Sequence, residues 1–398
     1  MRVLHVHSGN LYGGVETMLA TLARRRDACP ALEPHFALCF EGRLREELED
    51  EGARVHRLPN VRVSRPVTVL RARRALAALL RGERFDVVVC HSSWSHAVFA
   101  KTVRAASLPL AFWSHDAATG THWLERWARR TPPDLAVCNS DYTARAMRSL
   151  FPEARAEVVY CPLDLPDLAP FRTRESRAAV RAELDTPTDA VVIIQVSRME
   201  ECKGHSLQLR ALASLADVEG WVCWMVGGGQ RPREKAYEER LKAEVERLGL
   251  THRLRFTGQR RDVPRLLAAA DIYSQPNTTP ESFGLTFVEA MHAGLPVVTT
   301  AIGGAREVLD DSNGLLVPPG DAAALAAQLR RLLADEPLRK QLGQAGPARA
   351  RALCDPARQL ARLHEVLEGR VKIDGIEGAG TAGPEAGCVE GSAARCYR

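Results

Sequence analysis

Two glutamates, Glu281 and Glu289, lie eight positions apart in TTPESFGLTFVEAMHAGLPVV (residues 278–298). A helix is predicted from about Gly284, so the first carboxylate precedes the helix and the second lies inside it. Glu289 shares a helix face with Leu285, four residues earlier. The apolar AMHAGLPVV indicates a packed helix, in which a carboxylate needs a hydrogen-bonding partner. Hydroxyl groups of a sugar or ribose would suit; a helix-dipole contact for Glu281 and a surface position for Glu289 are the alternative.

Two cationic side chains stand beside a predicted helix start in VSRMEECKGH (residues 196–205). Arg198 follows a buried strand, and Lys203 precedes Gly204, where the next helix begins. Cations at the carboxyl edge of a parallel sheet, close to a helix N-terminus, suit the neutralisation of a diphosphate. Two solvated surface charges are the alternative, because Arg and Lys are usually exposed.

Glycine-rich turns follow two of the predicted strands. In HSGNLYGGVET, Gly13 and Gly14 would place bare backbone N–H groups at a helix N-terminus, which suits phosphate. Val15 and Glu16 stand where a Walker A loop needs Lys and Ser/Thr, and the spacing does not fit a dinucleotide fingerprint. WMVGGGQRP, with glycines 227–229, permits a similar close approach to a ligand. An ordinary tight turn explains either segment equally well.

The elements that must position these residues follow an alternating pattern. Short, β-branched-rich apolar runs alternate with amphipathic stretches, which predicts parallel sheets in an α/β fold. The pattern breaks at CPLDLPDLAPFRTRES (residues 161–176), where prolines cluster, and then restarts. This break predicts two domains whose ligand site lies beyond the carboxyl ends of the strands. The predicted strands are RVLHVHS, HFALCF, ARVHRL, DVVVCH, LPLAFWSH, LAVCNS, AEVVYC, AVVIIQVS, WVCWMVG, LRFTG, IYSQP, LPVVTT and GLLVP.

Composition is that of a soluble globular protein. Hydrophobic residues make up 45% and charged residues 26% of 398, and the ten cysteines form no CxxC pair, which favours reduced thiols acting as small hydrophobes. No apolar run approaches the ~20 residues of a membrane span, and the N-terminus enters a strand at once, so a cytoplasmic protein is predicted. The net charge of +5 falls in residues 1–165, which hold 23 Lys and Arg against 18 Asp and Glu.

One helix in the first half invites two interpretations. VTVLRARRALAALLRG (residues 67–82) places Arg71, Arg73, Arg74 and Arg81 beside an apolar stripe. A solvated helix face is one interpretation, and docking on the anionic inner face of a membrane is the other.

The motif ESFGLTFVE resembles the Glu-X7-Glu motif of retaining glycosyltransferases, specifically glycosyltransferase family 4, group 1. The resemblance extends over residues 2–368 and includes GGVE, SHD, CNSDYT, SRMEECKG, VGGGQ, FTGQRRDV and AIGGAREVLDDSNGLLVPPGD. It implies the GT-B fold, with two Rossmann-like domains that face a cleft and a C-terminal helix that crosses back to the first domain. The expected segments are residues 1–165 for the acceptor-side domain, 166–188 for a linker, 189–352 for the nucleotide-sugar domain, 353–370 for the crossing helix and 371–398 for a disordered tail.

The resemblance also implies roles for individual residues. Arg198 and Lys203 would hold the diphosphate of a nucleotide-sugar, Glu281 would bind donor-sugar hydroxyls, and His115 would face that sugar. Glu289 would bind the ribose hydroxyls. The remaining donor-binding residues would be Gly13, Gly14, Gly228, Arg260, Phe283, Gly284 and Leu285, and Glu16 and Asp116 would belong to the acceptor side. The family often has Asn-Gly where this chain reads CPLDLP, and Pro-Ser where it reads QPNTTPE, so some loop contacts to donor and acceptor depart from the family pattern.

The implied reaction is sugar transfer from a nucleotide-diphosphate sugar to an acceptor hydroxyl, with retention of anomeric configuration and no metal ion or cofactor. Expected acceptors are a glycan, a lipid-linked sugar or a small molecule in polysaccharide, glycolipid or cell-envelope synthesis; nucleic acid is not an expected partner. Peripheral membrane contact is compatible with this function. A nucleotide-sugar epimerase, a phosphorylase and a non-catalytic nucleotide-sugar-binding protein are the alternatives.

Overall fold

The computed structural model describes residues 1–9 and 12–371, of which 370 and 371 are described by their backbone alone. The described chain forms two compact units. The first comprises Met1–Asp164 and residues 354–371, and the second comprises Leu165–Leu353. The predicted tail lies, from residue 372 onward, outside the described residues.

The first unit is built on a seven-stranded sheet in which every neighbouring pair is parallel. Its strands are β1 (Arg2–His7), β2 (Glu33–Leu38), β3 (Arg54–Arg57), β4 (Val87–His91), β5 (Leu110–Ser114), β6 (Leu135–Cys138) and β7 (Arg155–Val158), in the spatial order β3-β2-β1-β4-β5-β6-β7. Its helices before the second unit are α1 (Gly14–Arg24), α2 (Arg43–Asp50), α3 (Pro66–Gly82), α4 (Ser92–Ala105), α5 (Trp123–Ala128) and α6 (Asp141–Met147).

The second unit repeats the design with six parallel strands. They are β8 (Val191–Val196), β9 (Trp221–Val226), β10 (Leu254–Gly258), β11 (Ile272–Gln275), β12 (Val297–Thr300) and β13 (Gly314–Val317), in the order β10-β9-β8-β11-β12-β13. The helices are α7 (Arg174–Glu183), α8 (His205–Ala213), α9 (Pro232–Arg247), α10 (Val263–Ala269), α11 (Leu285–His292), α12 (Ala305–Val308), α13 (Ala322–Ala334) and α14 (Glu336–Cys354), whose last residue is assigned to the first unit.

Each sheet reverses its direction of growth at one place. In the first sheet this place lies between β1 and β4, and in the second between β8 and β11. Loops that leave the carboxyl ends of such neighbouring strands turn to opposite faces of the sheet and open a crevice between them, which is where open α/β sheets bind ligands. Of the predicted site residues, Gly13 and Gly14 follow β1, Arg198 and Lys203 follow β8, and Glu281 follows β11.

The predicted α/β fold class, with its two parallel sheets, is confirmed, and each predicted strand run overlaps an observed strand. Residues 166–188 were predicted to form a linker. In the structure they include α7, and they belong to the second unit. After α14 the chain forms α15 (Pro356–Val371), which packs against α1 and the 3₁₀ turn Arg26–Ala28 in the first unit.

Two further sequence expectations concern burial and hydropathy. Strand cysteines such as Cys90 and Cys138 are buried and free, as expected for small hydrophobic side chains. None of the helices formed by the described residues has the length and apolar character needed to cross a bilayer.

Candidate active site

A partly buried ion pair joins the loops that follow β8 and β11. The Lys203 Nζ atom lies 2.6 Å from Glu281 Oε2, and the Asn277 side-chain amide donates to the same oxygen at 3.2 Å. Gly204, directly after the lysine, has φ +74°, and a Cβ there would meet the Pro276 carbonyl oxygen at 1.8 Å. Only glycine permits this approach, so the residue that ends the Lys203 turn also brings the two loops together.

The environment of Glu281 favours its ionised form. Burial alone would raise the pKa of this carboxyl, but the Lys203 ammonium and hydrogen bonds from Asn277 and the Ser282 backbone hold the pKa below its usual value. The main chain of Glu281 is also fixed, because its carbonyl accepts from Gly304 N at 2.7 Å. A cationic group and a carboxylate are therefore preorganised at the carboxyl edge of the second sheet.

A chain of buried polar side chains supports this pair from β11. The Tyr273 hydroxyl donates to Gln275 Oε1 at 2.8 Å, and Gln275 Nε2 donates to Asn277 Oδ1 at 3.0 Å. All three residues are buried. Because the Asn277 oxygen accepts from Gln275, its amide nitrogen is turned toward Glu281, which fixes the orientation of both groups.

Arg198, beyond the end of β8, is held by two carboxylates. Its guanidinium lies 3.0 Å from Glu200 Oε1 and 3.8 Å from Glu234 Oε1. The second oxygen of Glu234 accepts from the backbone N–H groups of Gln230 and Arg231, at 2.7 and 3.1 Å, at the start of α9. This arrangement ties the arginine to the glycine-rich turn after β9.

That turn packs closely on its neighbours. Gly227 has φ +134°, and a Cβ there would lie 1.9 Å from the Ser197 carbonyl oxygen. The same residue donates to the Gly258 carbonyl at 2.9 Å. Gly228, the predicted donor-binding residue, follows directly and lies against the backbone of Gln259. The loops after β8, β9 and β10 therefore meet here.

Glu289 is placed differently from Glu281. It lies inside α11, on a partly buried position, and among the described residues nothing pairs with its carboxylate. Burial raises its pKa from about 4.5 to about 7. The helix begins at Leu285, and the preceding Gly284 adopts φ +100° as its N-cap, next to the buried Phe283.

Arg260, one of the predicted donor-binding residues, is part of a surface ion-pair network. Its guanidinium contacts Glu183 Oε1 at 2.6 Å and both carboxylate oxygens of Asp262 at 2.7 Å. These contacts raise its pKa above the usual arginine value. The structure therefore ties Arg260 to α7 and the start of α10.

In the first unit, Glu16 connects the predicted phosphate loop to β1. One of its oxygens accepts from the Gly13 backbone N–H at 2.9 Å, and the other lies 2.8 Å from His7 Nε2. Gly13 is the N-cap of α1 and Gly14 its first residue, as the sequence predicted. Glu16 therefore occupies the N–H group that was expected to face a phosphate.

A line of three buried histidines crosses the first sheet from β1 through β4 to the end of β5. His5 Nδ1 lies 2.9 Å from His91 Nε2, and His91 Nδ1 lies 2.9 Å from His115 Nε2. The Trp113 ring stacks on His91 and His115. Burial lowers the pKa of His5 and of His115 to about 3, with neighbouring histidines adding to the effect, so the line is neutral at pH 7.

Two models of known families cover most of the chain. The model described as Glycosyltransferase Family 4 matches residues 12–166, and the model described as Glycosyl transferases group 1 matches residues 176–349. The chain belongs to the family 4, group 1 glycosyltransferases.

Relatives and solved structures agree with this membership. The chain is 35% identical over 232 residues to the D-inositol 3-phosphate glycosyltransferase of Kineococcus radiotolerans, covering 54% of this chain and 53% of the relative. It is 37% identical over 173 residues to the phosphatidyl-myo-inositol mannosyltransferase of Mycobacterium leprae, covering 42% and 44%. The chain thus spans about half the length of the curated relatives it matches. The structure of Anabaena HepE in complex with UDP-glucose superposes with a TM-score of 0.81 at 25% identity, covering 93% of this chain and all of that one.

Within this glycosyltransferase the sequence-predicted residues form separate groups. Lys203 and Glu281 are in contact, and Arg198 lies in the loop before the same lysine. In the first unit, Gly13 and Glu16 are in contact, whereas His115 joins the histidine line instead. Asp116 follows His115 as an exposed residue whose carbonyl accepts from the Ser114 hydroxyl at 2.8 Å.

Sequence reasoning did not single out two residues that these groups contain. Asn277 orients Glu281, and His91 contacts His115. A signal was available for each, because both are polar residues at or just beyond the end of a predicted buried strand, in IYSQPN and DVVVCH. Polar groups at the carboxyl end of a buried parallel strand are expected near ligands.

Proposed function

We propose that this protein transfers a sugar from a nucleotide-diphosphate sugar to an acceptor hydroxyl, with retention of anomeric configuration and without a metal ion. The Lys203–Glu281 pair at the carboxyl ends of β8 and β11 is the observation that carries this proposal. It places an ammonium for a diphosphate beside a carboxylate for sugar hydroxyls, at the crevice position of an α/β sheet.

The proposed chemistry breaks the bond between the anomeric carbon and the diphosphate oxygen, and forms a bond from that carbon to the acceptor oxygen. The acceptor proton moves to a phosphate oxygen of the leaving nucleoside diphosphate, on the same face of the sugar. Lys203 and Arg198 would stabilise the charge that develops on the leaving group, which is the electrostatic role a metal ion has in other transferases. Glu281 would bind and orient sugar hydroxyls and is not assigned as a nucleophile.

The same pair implies a rearrangement on donor binding. The Lys203 ammonium is neutralised by Glu281 at 2.6 Å. A diphosphate would offer two further negative oxygens, and sugar hydroxyls would replace the ammonium as donors to the carboxylate. We expect no large free-energy cost for this exchange, because each partly buried charge keeps a partner throughout.

The donor and acceptor classes rest on the relatives. Since HepE was crystallised with UDP-glucose, that compound is the first donor to test. The two curated relatives named above carry inositol phosphate and phosphatidylinositol in their names. We propose an acceptor of the same kind, a polyhydroxylated small molecule or lipid-linked glycan used in polysaccharide, glycolipid or cell-envelope synthesis.

We also propose that this reaction takes place in the cytoplasm, with the first unit resting on the inner face of a membrane. The support is the exposed face of α3, on which Val67 and Leu70 are 59% and 50% exposed. Arg71 and Arg74 are exposed on the same face, because 67, 70, 71 and 74 follow helical spacing. Apolar side chains flanked by arginines suit an anionic lipid surface.

The experiment is donor hydrolysis without acceptor, across UDP-, GDP- and ADP-sugars, with and without EDTA. We expect hydrolysis of one donor that EDTA does not change, and a product that first appears as the retained anomer in NMR spectra. Lys203→Met and Glu281→Gln should each lower the rate at least 100-fold, as expected for groups that bind transition-state charge or hold the sugar. Lys242→Met, which removes an ion-paired lysine on α9, is the matched control and should leave the rate unchanged.

Other outcomes separate the alternatives. A donor converted to another nucleotide-sugar, with no release of nucleoside diphosphate, would identify an epimerase. Nucleotide binding without turnover, also in the presence of inositol-phosphate and lipid acceptors, would favour a non-catalytic binding protein. Turnover that requires a metal, or unchanged turnover in Lys203→Met, would refute the proposed chemistry.

A further inference from the structure

A second polar cluster lies in the first unit, near the amino ends of its strands. Arg2 and Glu33 are the first residues of β1 and β2, and His35 and His56 lie on β2 and β3. The parallel register places all four on one face of the sheet, because paired residues of neighbouring strands point to the same side. Since the proposed reaction uses loops at the opposite, carboxyl ends of the strands, the glycosyltransferase site leaves this cluster unexplained.

Helix α3 covers this face and delivers a fifth member. Its buried residues, such as Leu76 and Leu80, pack on the same core as Leu4 and Ala37 of the sheet. Glu83 follows the end of the helix, and its Oε1 atom lies 3.7 Å from His56 Nδ1. The chain therefore brings two imidazoles from adjacent strands and one carboxylate from the next connection to one place.

The two imidazoles are held in a fixed orientation. His35 Nδ1 lies 3.1 Å from His56 Nε2, and the rings are parallel within 4°. The edge of each ring meets the Phe85 ring. One ligand atom each from His35, His56 and Glu83 lies within 4.8 Å of the others, and this is the only such group of three or more found among the described residues.

We propose that His35, His56 and Glu83 bind a divalent transition metal of the zinc type, with water completing the coordination. Two histidines and a glutamate are a ligand set that zinc accepts, with bonds of about 2.0–2.2 Å. Tetrahedral bonds of that length separate ligand atoms by about 3.3 Å. The 3.1 Å separation of His35 Nδ1 and His56 Nε2 is close to this spacing. Since the three ligand atoms lie within 4.8 Å of one another, the carboxylate would have to move closer by up to about 1.5 Å.

The surroundings fit the needs of such a site. Glu33 Oε1 lies 3.0 Å from His35 Nε2, so a carboxylate receives the second ring N–H of a ligating histidine, as is usual around zinc. Arg2 pairs with Glu83 Oε2 at 3.0 Å and leaves Oε1 turned toward His56.

The alternative is a hydrogen bond between the two neutral imidazoles, without a metal. Arg2 also lies 3.3 Å from His35 Nε2, so a positive charge stands close to the cluster and opposes a second one. The metal–ligand bonds would offset this repulsion. They would also connect the four-residue edge strand β3 to β2 and to the segment after α3, which would stabilise the fold. Only the metal-site interpretation predicts that the chain binds a metal ion stoichiometrically.

The experiment titrates the metal-stripped full chain with Co²⁺, followed by absorption, and repeats thermal unfolding with and without Zn²⁺. We expect about one saturable Co²⁺ site with a spectrum of nitrogen and oxygen ligands, lacking the charge-transfer absorption of a thiolate. Excess Zn²⁺ should raise Tm by a few degrees, since it binds only the folded state.

His56→Gln and Glu83→Gln should both abolish this site and the Tm shift. Glu83 is partly exposed, so its substitution tests the ligand set without removing a core side chain. His252→Gln, which removes an exposed imidazole in the second unit, is the control and should retain the site. No saturable binding, a thiolate-type spectrum, or binding that persists in both cluster variants would refute the proposal. Donor hydrolysis is not expected to change in these variants, so this test stands apart from that of the transferase.

Discussion

Glu281 and Glu289 belong to one motif but have opposite electrostatic surroundings. Lys203 and hydrogen bonds hold the pKa of Glu281 below its usual value, whereas burial raises the pKa of Glu289 to about 7. The difference suits the roles proposed for them. Glu281 is already paired with Lys203, and ribose hydroxyls would supply donors to the Glu289 carboxylate, with which nothing pairs among the described residues.

The raised pKa of Glu289 predicts a pH dependence of stability. Because its pKa of about 7 lies above the unfolded-state value of about 4.5, Glu289 contributes stability below pH 4.5, and this contribution is lost as pH rises through 7. Donor binding should have the opposite dependence, since hydroxyl donors stabilise the ionised form. We expect UDP-glucose, whose diphosphate does not titrate near neutrality, to bind roughly tenfold more tightly at pH 8 than at pH 6.

Calorimetry at pH 6 and 8 in buffers of different ionisation enthalpy would measure both the affinity and the proton released on binding. In Glu289→Gln the pH dependence and the proton release should disappear. Retention of both in that variant would show that another group titrates. Glu234→Gln is no suitable control, because that carboxylate contacts Arg198; Glu239→Gln, at an exposed α9 position, is matched in chemistry.

The histidine line couples the tautomer of His115 to that of His91. Each 2.9 Å contact joins an Nδ1 to an Nε2 atom, so the neutral line has two consistent states, with all protons on Nδ1 or all on Nε2. His115 therefore presents either a donor or an acceptor through its Nδ1 atom. We predict that His91→Phe, which preserves stacking on Trp113, lowers kcat of transfer about 10-fold or more and leaves donor Kd unchanged.

Nitrogen-15 NMR of the ring nitrogens would check this explanation directly. Wild type should show one tautomer of His115, and His91→Phe a mixture. In His91→Gln, the side-chain amide can form a hydrogen bond with only one of the two neighbouring histidines. This variant should therefore be more active than His91→Phe but less active than wild type. A parallel loss of donor affinity, or a fixed tautomer in the Phe variant, would argue against coupling.

At the scale of loops and helices, glycines set how closely the site segments approach. Gly303 has φ +65°, and a Cβ there would lie 2.2 Å from the Glu281 carbonyl oxygen. Gly303→Ala must therefore displace the loop that carries Glu281. We expect a loss of about 2–4 kcal/mol of unfolding free energy and at least tenfold weaker donor binding.

Gly320→Ala is the matched control for this prediction. Gly320 has φ +77°, and a Cβ added there would meet no atom within 4 Å. The control shares the backbone strain of a left-handed alanine, about 1 kcal/mol, without the collision. If chemical denaturation shows equal losses of unfolding free energy in the two variants, the close approach of Gly303 to the Glu281 carbonyl contributes nothing to stability.

Sequence patterns predicted elements better than the contacts between them. The largely apolar run VVIIQV identifies β8, because a strand that is buried on both faces consists mainly of apolar residues. Helix α7 was missed inside the predicted linker. Its Arg177 and Arg181 are fixed by Asp271, far along the chain, at 3.0 and 2.8 Å. Polar, long-range contacts of this kind leave no periodic signal in a local stretch.

The same limit explains which parts of the site were predictable. Gly13, Lys203 and Glu281 follow strand ends and were identified from position and residue type. The pairing of Glu16 with Gly13, and of Arg260 with Glu183, depends on side-chain geometry that spacing does not specify. Residue type and strand order thus indicated the candidate site, and the three-dimensional structure was needed to assign the contacts between its side chains.

At the scale of the whole molecule, the excess positive charge resides in residues 1–165. Part of this charge lies on the exposed face of α3. Arg73 is not part of that surface, because its guanidinium donates to the Val98 carbonyl at 2.6 Å. Arg71 and Arg74 are exposed beside Val67 and Leu70. Each arginine near an anionic bilayer contributes about 1 kcal/mol. The double variant Arg71→Ala, Arg74→Ala should therefore bind phosphatidylglycerol vesicles roughly 30-fold more weakly than wild type.

Sedimentation with vesicles of phosphatidylcholine, with and without phosphatidylglycerol, would measure this partition. Arg233→Ala, Arg247→Ala removes the same charge from exposed positions on α9 and should retain wild-type binding. Added salt should weaken wild-type binding, since charges at a surface are screened within about 10 Å at 0.1 M. If the α3 and α9 variants lose equal affinity for the vesicles, net charge alone accounts for the attraction. If phosphatidylglycerol does not increase wild-type binding, α3 is a solvated face and the acceptor must reach the enzyme from solution.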